Sequence, residues 1–267
     1  MKRAPAVAGQ FYHGSAERLC SQVDQYIDAA APKTDAIGIM VPHAGLVYSG
    51  AVAGAVYSAI RFPSTFVMLG PNHTGLGSAV AVMDEGSWDM PTGSVEVDRK
   101  LARSVLHAAP VARRDSRAHM FEHSLEVQLP FLIRFSPDVR IVPVALMSAG
   151  FDECMQLADG IAKAVRTADY PVVILASSDM SHYLPDKEAR RKDKKALDRL
   201  LALDPPGLYT TVREERISMC GYLPATVMLA AARMLGAKTA RLVKYMTSGD
   251  VSGDYEGVVG YAGVVVS

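Results

Sequence analysis

Cysteine is scarce in this chain: Cys20, Cys154 and Cys220 are the only three, far apart in 267 residues. An odd, widely spaced set argues against a disulfide framework and for reduced thiols. Charge of one sign is not in excess either, since 28 basic and 28 acidic side chains cancel. With no basic run long enough to cover a face, binding to nucleic acid through counterion release is not expected. No apolar run approaches the roughly 20 residues that span a bilayer, so no membrane helix is expected. Lys2 and Arg3 precede a few small apolar residues, but Gln10, Tyr12 and His13 interrupt them before a signal-peptide core forms. The expected location is the cytoplasm. Internal repeats, low-complexity tracts and Pro/Gly-rich linkers are also missing, which leaves no boundary at which to divide the chain.

What is present is apolar residues, 49% of the total, enough to bury a large core in one domain spanning 1–267. Short runs of Ile, Val, Leu and Met bounded by Pro and Gly read as strands buried on both faces. They alternate with helical patterns: a segment near 15–30, the alanine-rich SGAVAGAVYSAIR, a helix capped by Asp98, and FDECMQLADGIAKAVRTA. GSWDMPTGSVEV reads as an antiparallel excursion reversed at its PTG turn. FEHSLEVQLPFLIRF reads as helical on both sides of Pro130, kinked there. DKEARRKDKKALDR, from Asp186 to Arg199, mixes both charges at helical spacing and reads as a solvated helix face. The pattern predicts an α/β fold, a single-domain three-layer α-β-α sandwich around a mixed, largely parallel sheet.

Three of the strands run into histidine-bearing turns: AIGIMVPHAG to His43, STFVMLGPNHTG to His73, and YPVVILASSDMSHY to Asp179 and His182. Ligands of open α/β sheets sit beyond the carboxyl ends of such strands, so these side chains could converge on one pocket and bind a metal or move a proton. The alternative for each histidine is a hydrogen-bonded structural role. Cys220, beside a glycine at a predicted helix start, is the candidate third ligand, because amide dipoles there favour thiolate. Its alternative is a small buried hydrophobe, the reading that suits Cys20 and Cys154. Asp179 and His182 are three apart, a spacing at which the carboxylate would orient the imidazole as an acid or base. Glu122, His123 and Glu126 form a second polar knot, readable equally as a helix start with Glu on its dipole. His13, His107 and His119 have no comparable setting.

The motifs VPHAGLVYSG, LGPNHTG, EHSLEVQLPFL, SSDMSHY and MCGYLPA, in this order, resemble the Memo family, whose prokaryotic members are called AmmeMemoRadiSam system protein B. The resemblance runs from AGQFY near residue 8 to the C-terminal strands. It implies a fold similar to the catalytic subunit of class III extradiol dioxygenases, which are non-haem iron enzymes. It implies His43, His73 and Cys220 as metal ligands, with copper or iron as the ion. It places Asp179 and His182 in the pocket, His182 in the acid/base position, and Phe11 and Tyr48 in the substrate wall. Phe11 stands where animal members have tryptophan, and Tyr222-Leu223 replaces a basic pair. Both departures argue against carrying over the phosphotyrosine-peptide binding of those members.

A thiolate where the dioxygenases use a carboxylate is softer and favours Cu(I), Zn(II) or a differently tuned iron. Three functions follow as expectations. The first is a copper- or iron-dependent oxidoreductase with a two-His, one-Cys site, acting on a small-molecule or peptide substrate. The second is a zinc-dependent hydrolase on the same ligands. The third is a non-enzymatic module that binds a partner or carries metal. The family's gene neighbours imply AMMECR1-like and radical SAM proteins as partners.

Overall fold

The computed structural model describes residues 1–267. Its strands are β1 (Lys2–Arg3), β2 (Gly38–Val41), β3 (Thr65–Pro71), β4 (Val80–Val82), β5 (Ser87–Met90) and β6 (Gly93–Val97), followed by β7 (Arg113–Arg114), β8 (Arg140–Leu146), β9 (Val172–Ser177), β10 (His182–Leu184), β11 (Ala240–Thr247) and β12 (Val258–Val266). The helices are α1 (Ala16–Asp24), α2 (Leu46–Ser58), α3 (Arg99–Ala108), α4 (Leu129–Phe135), α5 (Phe151–Arg166), α6 (Asp186–Leu201), α7 (Pro205–Glu214), α8 (Tyr222–Met234) and the short α9 (Gly249–Ser252). No helix is long and apolar enough to cross a membrane.

Strands β8, β3, β9 and β2 lie side by side, all parallel, and form the centre of one mixed sheet. All seven residues of β3 are buried, as its unbroken apolar run requires of a strand covered on both faces. Antiparallel β12 flanks β2 and carries β11 and β10, while β6, β5 and β1 extend the other edge. The register shows that helices cover both faces. Gly38 pairs with Val266 and lies under Met228 of α8, whereas Gly263, of opposite parity in β12, lies under Val56 of α2. Because side chains alternate across a strand, α8 and α2 are on opposite sides. α3, α5 and α8 pack together on the first face. The fold is the expected three-layer sandwich, with one core of 69 buried residues.

Strand β9 lies between β2 and β3, so one strand separates those bearing His43 and His73. Two local expectations are corrected. Pro130 does not kink a long helix but sits in the first turn of α4, where its missing N–H costs nothing. The preceding residues form a loop and a short 3-10 turn at Glu126–Gln128. Cys20 is exposed rather than buried, while Cys154 is buried as expected.

The N-terminal strap is tied down by Arg3, which is 3% exposed and lies 4.0 Å over the ring of Trp88. Its Nη1 donates to Glu126 at 2.6 Å and its Nη2 to the Glu122 carbonyl at 2.6 Å. The Glu126 carboxylate also accepts from the backbone of Ala6 and Val7 and from the Tyr12 hydroxyl. Glu126 therefore clasps residues 3–12, the stretch that delivers Phe11. Removing one partner of a buried ion pair costs about 3–5 kcal/mol. Glu126→Ala is expected to lower unfolding free energy by about that amount in urea denaturation.

His119 is fully buried beside Trp88, and neither ring nitrogen has a hydrogen-bond partner. Burial, reinforced by Arg3, pushes its pKa down to about 4. The unfolded chain takes up a proton there below about pH 6.5, which the folded chain refuses until about 4. Stability is therefore lost as pH falls through that window, by roughly 3 kcal/mol from this group. In His119→Leu, the difference in unfolding free energy between pH 7 and pH 4 should shrink by roughly that amount.

Candidate metal centre

β2 ends at Val41, and Pro42 turns the chain so that His43, 1% exposed, stands at the carboxyl edge of the sheet. Its Nδ1 lies 2.9 Å from the hydroxyl of Ser177, at the end of neighbouring β9. That hydroxyl spends its single proton on the Ser124 carbonyl at 2.6 Å and accepts from Gln128 Nε2 at 2.9 Å. The Gln128 amide is itself fixed, donating to the Pro42 carbonyl and accepting from Tyr57. His43 Nδ1 must therefore donate, leaving the Nε2 lone pair for a ligand. Burial first, then neighbouring His123 and His73, holds the His43 pKa well below its ordinary value. The imidazole is neutral, as metal binding requires.

His73 follows β3, in a turn that Asn72 organises by accepting from Thr74 and Gly75 and donating to the Leu76 carbonyl. Its backbone N–H and its Nδ1 both meet the carboxylate of Glu122, the ring nitrogen at 2.9 Å. Glu122 is fully buried. Burial raises its pKa, but the bond and charge of His73 and the Ser124 amide outweigh this and hold it at about 2. For His73, burial lowers the pKa and the Glu122 bond and charge raise it, with a net rise. An ionised carboxylate can only accept, so Nδ1 of His73 donates and Nε2 faces the site. Gly70 makes this approach possible: a Cβ there would sit 2.7 Å from both Leu125 and Ser124 side chains.

His123 completes the cluster. Its ring stacks on His73 with centroids 4.7 Å apart, meets His43 edge-on at 5.6 Å, and has Nδ1 3.5 Å from Glu122. One ring nitrogen each from His43, His73 and His123 lies within 4.8 Å of the other two. Donors on one tetrahedral ion stand about 3.3–3.6 Å apart, so small side-chain adjustments suffice. Sequence spacing put His123 beside a possible helix start. The missed signal is Pro130, which marks the first turn of α4 and leaves residues 121–125 free to form a loop at the strand ends.

Cys220 lies two residues before α8, with Sγ 3.3 Å from His43 Nε2 and 3.3 Å from the Asp179 amide. Gly221 allows this, because a Cβ on it would fall 2.3 Å from the Ser177 carbonyl. In the metal-free protein burial, then the Asp179 carboxylate, pushes the thiol far up, against the neighbouring amides that favour thiolate.

Asp179 is 4% exposed and accepts from the His43 amide at 2.8 Å. It does not orient His182, as the spacing had suggested. His182 instead meets Ser218 twice, its N–H donating to Oγ at 2.8 Å and its Nδ1 to the carbonyl at 2.9 Å. Its Nε2 is left as the free basic atom. Phe11 packs edge-on against His123 at 4.9 Å. Tyr48, on the first turn of α2, is exposed and near the buried Tyr261.

Residues 3–265 match the model of the Memo-like protein family. A MEMO1 family protein of Methanopyrus kandleri is 40% identical, with 99% of each chain covered. One of Methanococcoides burtonii is 42% identical, again over 99% of both chains. Among solved structures, an uncharacterized protein of Escherichia coli K12 superposes with a TM-score of 0.58 at 15% identity, covering 85% of this chain and 98% of that one, and so shares the fold. With the family pattern matched from the Arg3 anchor through the last strand, the chain belongs to the Memo family.

Proposed function

We propose that this protein is a metal-dependent oxidoreductase built on His43 and His73, with copper or iron as its redox ion. The observation that carries the reading is the fixed direction of two imidazole lone pairs. Ser177 holds one and Glu122 the other; both leave Nε2 free near a third imidazole, and the Cys220 thiol lies against that of His43. Outer hydrogen bonds of this kind orient ligating histidines and raise their affinity. A donor set that mixes imidazole with sulfur suits copper, iron and zinc, and is ill matched to magnesium or calcium. A bound redox ion would supply single-electron exchange and Lewis acidity.

The chain's own residues supply the rest. His182, braced by Ser218, has a free Nε2 with which to accept or return a proton. Asp179 fixes the backbone of the His43 turn. Phe11 covers the edge of His123 and narrows access of water, and Tyr48 and Tyr183 offer exposed rings for a substrate at the rim. A zinc hydrolase is the second reading, favoured by the three-imidazole cluster, because three histidines on zinc lower the pKa of bound water to about 7.

Two measurements test this. Protein purified anaerobically and reconstituted should hold one copper or iron per chain, and the double variant His43→Ala/His73→Ala should hold none. With a reductant, oxygen consumption should fall about a hundredfold in His182→Gln with metal content unchanged. A protein that retains no redox metal and consumes no oxygen overturns the oxidoreductase reading. Zinc alone, with hydrolytic turnover, selects the second.

A further inference from the structure

On one side the sheet ends in β11, which pairs with β12 and has no strand along its other edge. The register shows which backbone groups are left open there. Thr239 and Ser267 exchange both of their hydrogen bonds, and the Val266 carbonyl is taken by Ile37, just before β2. Bonded and non-bonded pairs alternate in an antiparallel ladder. Ala240, opposite Val266, and Leu242, opposite Val264, therefore turn their N–H and C=O groups outward, where no strand meets them.

The side chains along this edge are equally uncommitted. Arg241 and Lys244 lie opposite Val265 and Gly263, so both are on the face that α2 covers, and both are exposed. The carboxylates of the neighbouring segment 28–35 are engaged elsewhere, Asp28 with the Ala30 amide and Asp35 with Arg61. The register shifts between Leu242 and Lys244, and the extra residue, Val243, is brought to the same face. There it forms with Arg241 one wall of a groove of about 450 Å³, closed by Ala55 and Ala59 of α2 and by Ala31 and Pro32.

Open main-chain groups beside a side-chain groove are how a sheet edge takes up an extended peptide: backbone bonds hold it and alternate side chains are read. We propose that β11 receives an extended acidic segment of another protein as an added strand. That strand bonds Ala240 and Leu242, sets carboxylates against Arg241 and Lys244, and places an apolar side chain in the groove. Charge selects this occupant over a second copy of the chain. The register in which Ala240 and Leu242 of two copies bond each other puts Arg241 directly opposite Arg241, and like charges so placed repel. Bulge and cations thus guard the edge against self-pairing and leave it open to a strand of opposite charge. The surface shares no residue with the metal centre.

The probe is a fluorescent eight-residue peptide of alternating glutamate and valine, blocked at both ends and titrated into the full-length protein. Anisotropy should show saturable binding, and amide exchange should slow at Ala240 and Leu242. The same peptide methylated on its backbone nitrogens, or with lysine in place of glutamate, should not bind. The double variant Arg241→Glu/Lys244→Glu should weaken binding by about tenfold or more and melt at the wild-type temperature, since both side chains are exposed. No binding at millimolar peptide, equal binding of the methylated or lysine peptide, or protection of other amides instead overturns the proposal. Displacement of the peptide by a thymidine oligonucleotide also overturns it, by making the cations a general anion surface. A wild-type dimer in sedimentation with Ala240 and Leu242 protected does the same, by making a second copy the occupant.

Discussion

The fully buried Glu122 carboxylate is the constraint around which the centre is arranged. An ionised group inside a protein is tolerated only where hydrogen bonds and opposite charge replace water. Glu122 finds its partners in the His73 amide, the His73 ring and the Ser124 amide. Meeting those demands keeps residues 121–125 out of a helix, sets the His73 proton on Nδ1 and draws His123 over His73. The same loop supplies the Ser124 carbonyl that takes the Ser177 proton, and so fixes His43 as well. One buried charge thus determines the direction of two lone pairs on two different strands.

The N-terminal strap answers to the same loop. Arg3 donates to the carbonyls of His119 and Glu122 and to the Glu126 side chain, closing off polar groups that would otherwise be buried unpaired. Phe11 reaches His123 because Glu126 holds Ala6, Val7 and Tyr12. Stability and site geometry are therefore not separable here. A change that frees the strap also uncovers one side of the imidazole cluster.

Much of the architecture was legible in the chain because its elements follow local rules. Unbroken Val, Ile, Leu and Met runs gave β3 and β9, the Pro and Gly turns placed His43 and His73 at strand ends, and Asp98 caps α3 as its position suggested, accepting from the Leu101 amide. What was not legible depends on contacts between distant segments. No local pattern puts β9 between β2 and β3, yet this order brings Ser177 to His43. The three-residue spacing of Asp179 and His182 suggested a pair, but the partners offered by the His43 turn and by Ser218 separate them. At Cys220, burial and the Asp179 carboxylate raise the thiol against the pull of the amides beside it, a balance that its position near a helix start does not reveal.

The two walls of the site are built differently, and this bears on what each can do. The imidazole wall is locked by buried hydrogen bonds. The opposite wall is held by backbone geometry: β10 pairs with β12 across an irregularity between His182 and Leu184, and Tyr183 within it has φ of 58°. A bulky residue in the left-handed region is strained, and a bulge redirects the side chains beside it. Asp193, buried below, holds the Ser181 amide and the Tyr245 hydroxyl, giving that loop a rigid footing. The strain is thus met by a footing that prevents the loop from relaxing, and its result is that His182 and the exposed ring of Tyr183 leave the sheet together. The candidate metal donors are consequently set by charge inside the protein, whereas the proposed acid/base imidazole and the exposed ring beside it are set by one bent strand.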